Sequence, residues 1–293
     1  MNAVTLAAPP ALGPLLLRGA LWAPFKRPAP GAAYPHTRLL LPGVRIDLAR
    51  LAAYERVCGY PTGAAGLPVT YPHVLGFPLA MRLMSRRDFP LPLPGLVHTS
   101  IGIRRMAALP ADAEYEVSVW TEGLSAHRRG TEATVVTALC SGGRPVWSSR
   151  STYLARHGTA RPDDGPHGTP AAAGRTGAAR VAGGALPVVA EWRLAGDVGR
   201  RYAAVSGDRN PIHVHPLTAR PFGFRRAIAH GMWTVARCLA AHGSPDAAEV
   251  RARFRAPVPL PGTVVYGADG GGRFELRDGR GRVHLDGEVR DGR

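Results

Sequence analysis

The stretch Tyr202-Ala203-Ala204-Val205-Ser206-Gly207-Asp208-Arg209-Asn210-Pro211-Ile212-His213 places a carboxylic acid, an amide and an imidazole within six residues. Its Ser-Gly-Asp and Asn-Pro steps favour a tight, irregular loop, which can aim an acid and an imidazole at one spot. A carboxylate beside an imidazole is the simplest constellation for general acid–base work, because histidine titrates near neutrality. Asn210 would orient either partner. It is one of two asparagines, with Asn2, in a chain without glutamine. The same residues also fit an Asx turn with a capping Asp208 and a surface His213. Spacing alone leaves both readings open.

Downstream, His230-Gly231-Met232 opens an apolar segment of helical character. A helix N-terminus carries free N–H groups and a partial positive charge, suited to a developing oxyanion. Glycine there lets a carbonyl approach the backbone, or simply lets the helix pack closely. His213, His215 and His230 raise the possibility of a metal site. No carboxylate or cysteine cluster completes a ligand set, so no metal is expected. Arg225 and Arg226, after Phe222-Gly223-Phe224, are candidates to pair with phosphate groups of a ligand, or form a solvated basic turn.

These residues need a scaffold, and the chain supplies two similar halves. From 157 to 187 it is almost all Gly, Ala, Pro, Arg and Thr, read as a linker. It divides a first unit, 37–156, from a second, 188–293, and residues 1–36 form a Pro-rich N-terminal extension. Tyr54-x-x-Val57-Cys58-Gly59 recurs as Tyr202-x-x-Val205-Ser206-Gly207. The apolar segments 75–84 and 228–237 follow in turn, and Ile103 through Pro110 echoes Phe254 through Pro261. Three echoes in one order support a duplicated fold. After each helical segment come strand patterns: 115–120, 133–139 and 146–153, then 263–266, 273–276 and 283–289. The expected class is α+β, each half an antiparallel sheet wrapped around one helix, the two joined into a larger sheet.

Composition narrows the function. The net charge of +16 invites a nucleic-acid reading, but Lys26 is the only lysine and the arginines are scattered. Nucleic-acid binding would want a basic stripe with interleaved aromatics, and no such partner is expected. Cys58, Cys140 and Cys238 are far apart and in no metal or redox spacing, so reduced thiols and a cytoplasmic location are expected. Met1–Trp22 is apolar but lacks a basic start and is broken by prolines, which argues against a signal peptide. No run reaches the roughly 20 apolar residues of a membrane helix, so no membrane partner is expected.

The run from Tyr202 to His213, followed by Ile228-Ala229-His230-Gly231-Met232, resembles the hydratase-2 motif of the MaoC-like dehydratases, hot-dog enzymes acting on acyl thioesters. Ser-Gly-Asp-x-Asn-Pro-Ile-His is a dense signature. The first half, through Leu67-Pro68-Val69-Thr70-Tyr71-Pro72 and Asp88-Phe89-Pro90, resembles the N-terminal unit of the double-hot-dog members. His215 departs from the family, where many members carry an acid or Asn. The resemblance implies syn addition of water to a trans-2-enoyl thioester, CoA- or carrier-bound, giving the (R)-3-hydroxyacyl product without a cofactor. It implies Asp208 and His213 as the acid–base pair, Asn210 as their orienter and the Gly231 N–H on the thioester carbonyl. In the first half Cys58-Gly59-Tyr60-Pro61 replaces the loop, and by alignment Pro78 falls opposite Gly231. That half is expected to hold the acyl chain, with Met81 and Leu83 as lining or as ordinary core. A homodimer of such subunits is a possible assembly. A catalytically idle thioester binder and a hot-dog thioesterase are the alternatives. The second helical segment offers no acid for a thioesterase.

Overall fold

The computed structural model describes residues 1–158, 184–243 and 248–292. Most of the segment read as a linker, 157–187, lies outside them. The strands are β1 (Asn2–Thr5), β2 (Thr37–Val44), β3 (Val97–Arg105), β4 (Tyr115–His127), β5 (Gly130–Ser141) and β6 (Arg144–Arg156) in the first half. In the second are β7 (Val188–Leu194), β8 (Ala248–Phe254), β9 (Gly262–Ala268), β10 (Arg273–Arg277) and β11 (Val283–Asp291). All eleven form one sheet in the order β1-β2-β4-β5-β6-β3-β8-β11-β10-β9-β7. Read outward from its centre, β3-β6-β5-β4-β2 mirrors β8-β11-β10-β9-β7. The duplication expected from the echoes is therefore topological.

Each half has a short helix and a longer one. They are α2 (Leu48–Cys58) and α3 (Tyr71–Met84), then α4 (Val198–Ser206) and, after a loop, α7 (Gly231–His242). Asp47 starts α2 by accepting from the Ala49 and Arg50 N–H groups at 3.0 and 3.1 Å. Gly59 and Gly207 end α2 and α4 in the left-handed region, at φ 81° and 84°. Only glycine adopts that conformation without cost, which is why the echo ends on Gly in both halves. Tyr54 and Tyr202, also shared by the echo, are buried with ring centroids 6.0 Å apart across the junction.

Two alignments of the halves need correction. Pro78 lies inside α3, well past its start, so it does not stand opposite Gly231. Gly231 is the first residue of α7, and its counterpart is Tyr71, followed by Pro72. The third echo shifts by two residues. Leu67 N–H donates to the Leu109 carbonyl as Ala229 N–H donates to that of Val258, pairing Leu109 with Val258 rather than Leu260.

Residues 1–36 also build structure. β1 pairs in parallel with β2, and α1 (Leu12–Trp22) packs on α3. The only lysine, Lys26, is buried and donates to the carbonyls of Arg86, Arg87 and Phe89 at 2.6–2.8 Å. Three acceptors offset the cost of burying an ammonium, although desolvation still lowers its pKa. No helix among the described residues is long and apolar enough to cross a membrane. The three cysteines are unpaired, and burial pushes the Cys58 thiol up to about 12.

Candidate active site

The loop after α4 forms two short helical turns, α5 (Pro211–Val214) and α6 (Pro216–Ala219). Asp208 N–H donates to Ser206 Oγ at 3.2 Å, and Asn210 N–H donates to Asp208 Oδ1 at 3.1 Å. The Asn210 side-chain oxygen accepts from Ile212 N–H at 3.4 Å and caps α5. Asn210 therefore shapes the loop that carries Asp208 and His213. Gly199 on α4 makes room for it, since a Cβ there would collide with the His213 carbonyl.

The turn brings His213 under the strand-like segment before α7. Ile228 N–H donates to the Ile212 carbonyl at 3.1 Å, and His213 Nδ1 lies 2.8 Å from the Ile228 carbonyl. A carbonyl only accepts, so Nδ1 carries the proton and Nε2 of the neutral ring keeps its lone pair. His213 is buried, and desolvation lowers its pKa against the opposing pull of the Asp208 charge and the Ile228 carbonyl. Its ring stacks on that of His230 at 3.7 Å between centroids and 28° between planes. His230 Nε2 donates to the Asp208 carbonyl at 2.9 Å and lies 3.9 Å from its carboxylate Oδ2. Burial, then the neighbouring His213, pushes the His230 pKa well below its ordinary value. The result is a half-exposed carboxylate beside two neutral imidazoles.

Asp208, His213 and His230 have ligand atoms within 4.8 Å of one another. The expectation that no carboxylate joins the histidines is thus corrected. His230 Nε2 is engaged as a donor to the Asp208 carbonyl, which leaves that nitrogen no lone pair for a metal. His215 stays out of the cluster, its Nδ1 accepting from Leu217 N–H to cap α6.

Gly231 opens α7, and no side chain caps that end. A Cβ on Gly231 would lie 2.8 Å from Phe254 Cε1, so the ring occupies the space that glycine leaves. Close packing and an available helix N-terminus hold here together. Arg225 and Arg226 are exposed, and Arg226 Nη1 donates to the Pro261 carbonyl at 2.9 Å. Met81 and Leu83 lie on α3 within the core. His230 was legible only as a candidate metal ligand, although its place immediately before Gly231 could have marked it. His73, His98 and Tyr153 of the first half also went unread. The Asp208 charge acts on His73 and Tyr153, and no local spacing announces that.

A duplicated helix-in-sheet fold with one acid–base loop facing a glycine-opened helix defines the class: the chain belongs to the MaoC-like dehydratase family, in its double hot-dog form. The MaoC like domain matches residues 188–285, within the half that carries the candidate site. The chain is 35% identical over 265 residues to 3-hydroxyacyl-thioester dehydratase X of Mycobacterium tuberculosis, covering 87% of this chain and 90% of that protein. The crystal structure of HtdX from the same organism is similar at TM-score 0.72 and 34% identity, over 87% of this chain and 99% of that one. A further M. tuberculosis protein described as a double hotdog fold matches at TM-score 0.53 and 16% identity, over 88% of this chain and 98% of its own. That last likeness is one of fold.

Proposed function

We propose that this protein is a hydro-lyase that adds water reversibly to trans-2-enoyl thioesters, giving (R)-3-hydroxyacyl thioesters, in fatty-acid or polyketide metabolism. The observation that carries the reading is the fixed tautomer of His213. Its Nδ1 is held by the Ile228 carbonyl, leaving a basic Nε2 beside the Asp208 carboxylate at the start of α7. In hydration the water oxygen bonds to C3 as one water proton leaves to the pair, and C2 takes up one proton. The pair ends with the protons it began with. The Gly231 N–H would polarise the thioester carbonyl as charge develops on its oxygen. Asn210 holds the loop that aims the pair. The α7 helix bears no Asp or Glu, which favours hydration over thioester hydrolysis.

The carrier is coenzyme A or an acyl-carrier protein, its phosphates passing Arg225 and Arg226, and the acyl chain runs toward the first half past Met81 and Leu83. The proposed location is the cytoplasm, consistent with three unpaired thiols. The test is loss of enoyl-thioester absorbance on mixing purified protein with trans-2-enoyl-CoA substrates of four to sixteen carbons. Turnover that gives the (R)-3-hydroxy product is expected. No absorbance change at any length would overturn the reading. Bulky substitutions at Met81 and Leu83 should shorten the preferred chain, and an unchanged profile would place the chain elsewhere.

A further inference from the structure

Among the histidines of the described residues, His73 Nδ1, His98 Nε2 and His230 Nδ1 are buried without a hydrogen-bond partner. Such atoms are rare in folded proteins, because a polar group taken out of water is normally paired. His230 belongs to the site already described. His73 and His98 come from the half without the acid–base loop, and the mechanism does not use them.

The duplicated fold makes His73 informative. It is the third residue of α3, as Trp233 is the third of α7. The Trp233 Nε1–H reaches into the opposite half and is satisfied by the Val57 carbonyl at 2.9 Å. His73 is 8% exposed at the matching position, and its Nδ1 has no hydrogen-bond partner. His98 lies on β3, its ring 4.6 Å from Tyr153 and nearly parallel to it, and 6.0 Å from His73 at 14°. On another side it lies 4.8 Å from Phe254, the ring that a Cβ on Gly231 would strike. Rings thus follow one another from Phe254, beside Gly231, to His98 and on to His73. Burial pushes the two imidazoles down to about 4 and about 3, so both are neutral at physiological pH. A neutral imidazole nitrogen donates or accepts, and it suits an uncharged oxygen better than a carboxylate or phosphate.

We propose that His73 and His98 form a hydrogen-bonding wall that selects acyl groups bearing an uncharged oxygen, a hydroxyl or keto group, beyond the reacting double bond. The inference rests on the dehydratase reading: with the thioester carbonyl at Gly231, the carbons past C3 run along Phe254 to the two rings. Both nitrogens are already closed off from water, so a wholly aliphatic chain would leave them unpaired. A site built to hydrogen-bond an oxygen function discriminates against the analogue that lacks it.

The experiment measures kcat/KM of the full-length protein for trans-2-octenoyl-CoA and for the same thioester with a hydroxyl at C4, C5, C6 or C7. The hydroxylated-to-plain ratio is read within each preparation, so loss of folded protein cancels. We expect at least one position to be favoured by about tenfold or more in wild type. The ratio should fall below about threefold in His73→Leu and in His98→Phe, and partly recover in His98→Asn, which keeps a donor and an acceptor. A wild-type ratio near one at every position, or a ratio that neither variant moves, would overturn the wall and assign these nitrogens to bound water. Absence of turnover with every thioester would overturn the dehydratase reading and the wall with it. Turnover with a flat ratio overturns the wall alone.

Discussion

The two halves share strand order, helix placement and the glycine that ends the short helix, yet they differ in the residues that follow that glycine. After Gly207 comes Asp208, tied to His230, which immediately precedes α7. After Gly59 comes Tyr60, whose hydroxyl lies 3.3 Å from Thr70, which immediately precedes α3. Tyr54 also donates to Thr70, at 2.8 Å. One pair of positions holds a carboxylate and an imidazole, and the other holds two hydroxyls locked together. The helix openings differ as well, Gly231-Met232 against Tyr71-Pro72, and Pro72 has no N–H to offer. A common scaffold fixes where groups meet, and a handful of side chains decides whether the meeting place can move a proton.

The sharpest way to break the comparison is to erase the chemistry from the second half. Asp208→Asn and His213→Ala should each lower kcat by about 10²–10⁴-fold with the fold retained. Tyr60→Phe, at the place of Asp208 in the first half, should change it by less than about twofold. Full activity in either second-half variant would end the assignment.

A smaller loss is expected from Gly231→Ala. The added methyl must displace Phe254 or the helix start, and a shift of the carbonyl site by a fraction of an ångström should cost about 10- to 10²-fold in kcat/KM. Pro72→Ala should leave turnover unchanged. If the two substitutions behave alike, the helix openings are not what separates the halves.

Acid treats the halves alike, and that can be measured too. His73 and His98 in one half, and His213 and His230 in the other, have folded pKa values lowered chiefly by burial. Below about pH 6.5 the unfolded chain binds protons that the folded chain refuses, so stability is full above that pH and falls as pH drops toward 4. Each group contributes about 1.4 kcal/mol per pH unit while the two states differ. Urea midpoints at pH 7.5 and 5.5 should differ, and His73→Phe/His98→Phe should shrink the difference. An unchanged difference would show that these rings titrate in the folded protein.

The smallest effect belongs to the arginines. Arg225→Ala/Arg226→Ala should raise KM for an enoyl-CoA by about three- to tenfold at low salt, less at high salt, with kcat held, because phosphate contacts are alike in ground and transition states. Unchanged KM and salt response would return both to a solvated turn.

The parts legible in the sequence were those encoded locally. The later strands of each half followed from alternation, β-rich apolar runs and Gly-rich turns, and Gly59 and Gly207 recur at the end of the first echo because the left-handed cap demands glycine. Asp208, Asn210 and His213 could be read together because one loop carries them. What depends on distant pairing was not legible. β3 and β8 meet across a sequence gap that no periodicity spans, and β1 joins β2 only in three dimensions. Apolar character sets Pro78 opposite Gly231 but cannot fix where a helix begins. His73 and His98 carry no spacing signal toward Asp208, since they reach it from another helix and another strand.

The junction of the halves is made by backbone: Ser100 through Arg105 on β3 against Arg253 through Ala248 on β8, in unbroken antiparallel register. Main-chain hydrogen bonds are blind to side-chain identity, so this join tolerates sequence drift on either side of it. Neither half can open there without exposing a strand edge, so a single calorimetric transition for both halves is the expected outcome. That coupling would let a half without an acid–base loop persist, held in shape by the one beside it.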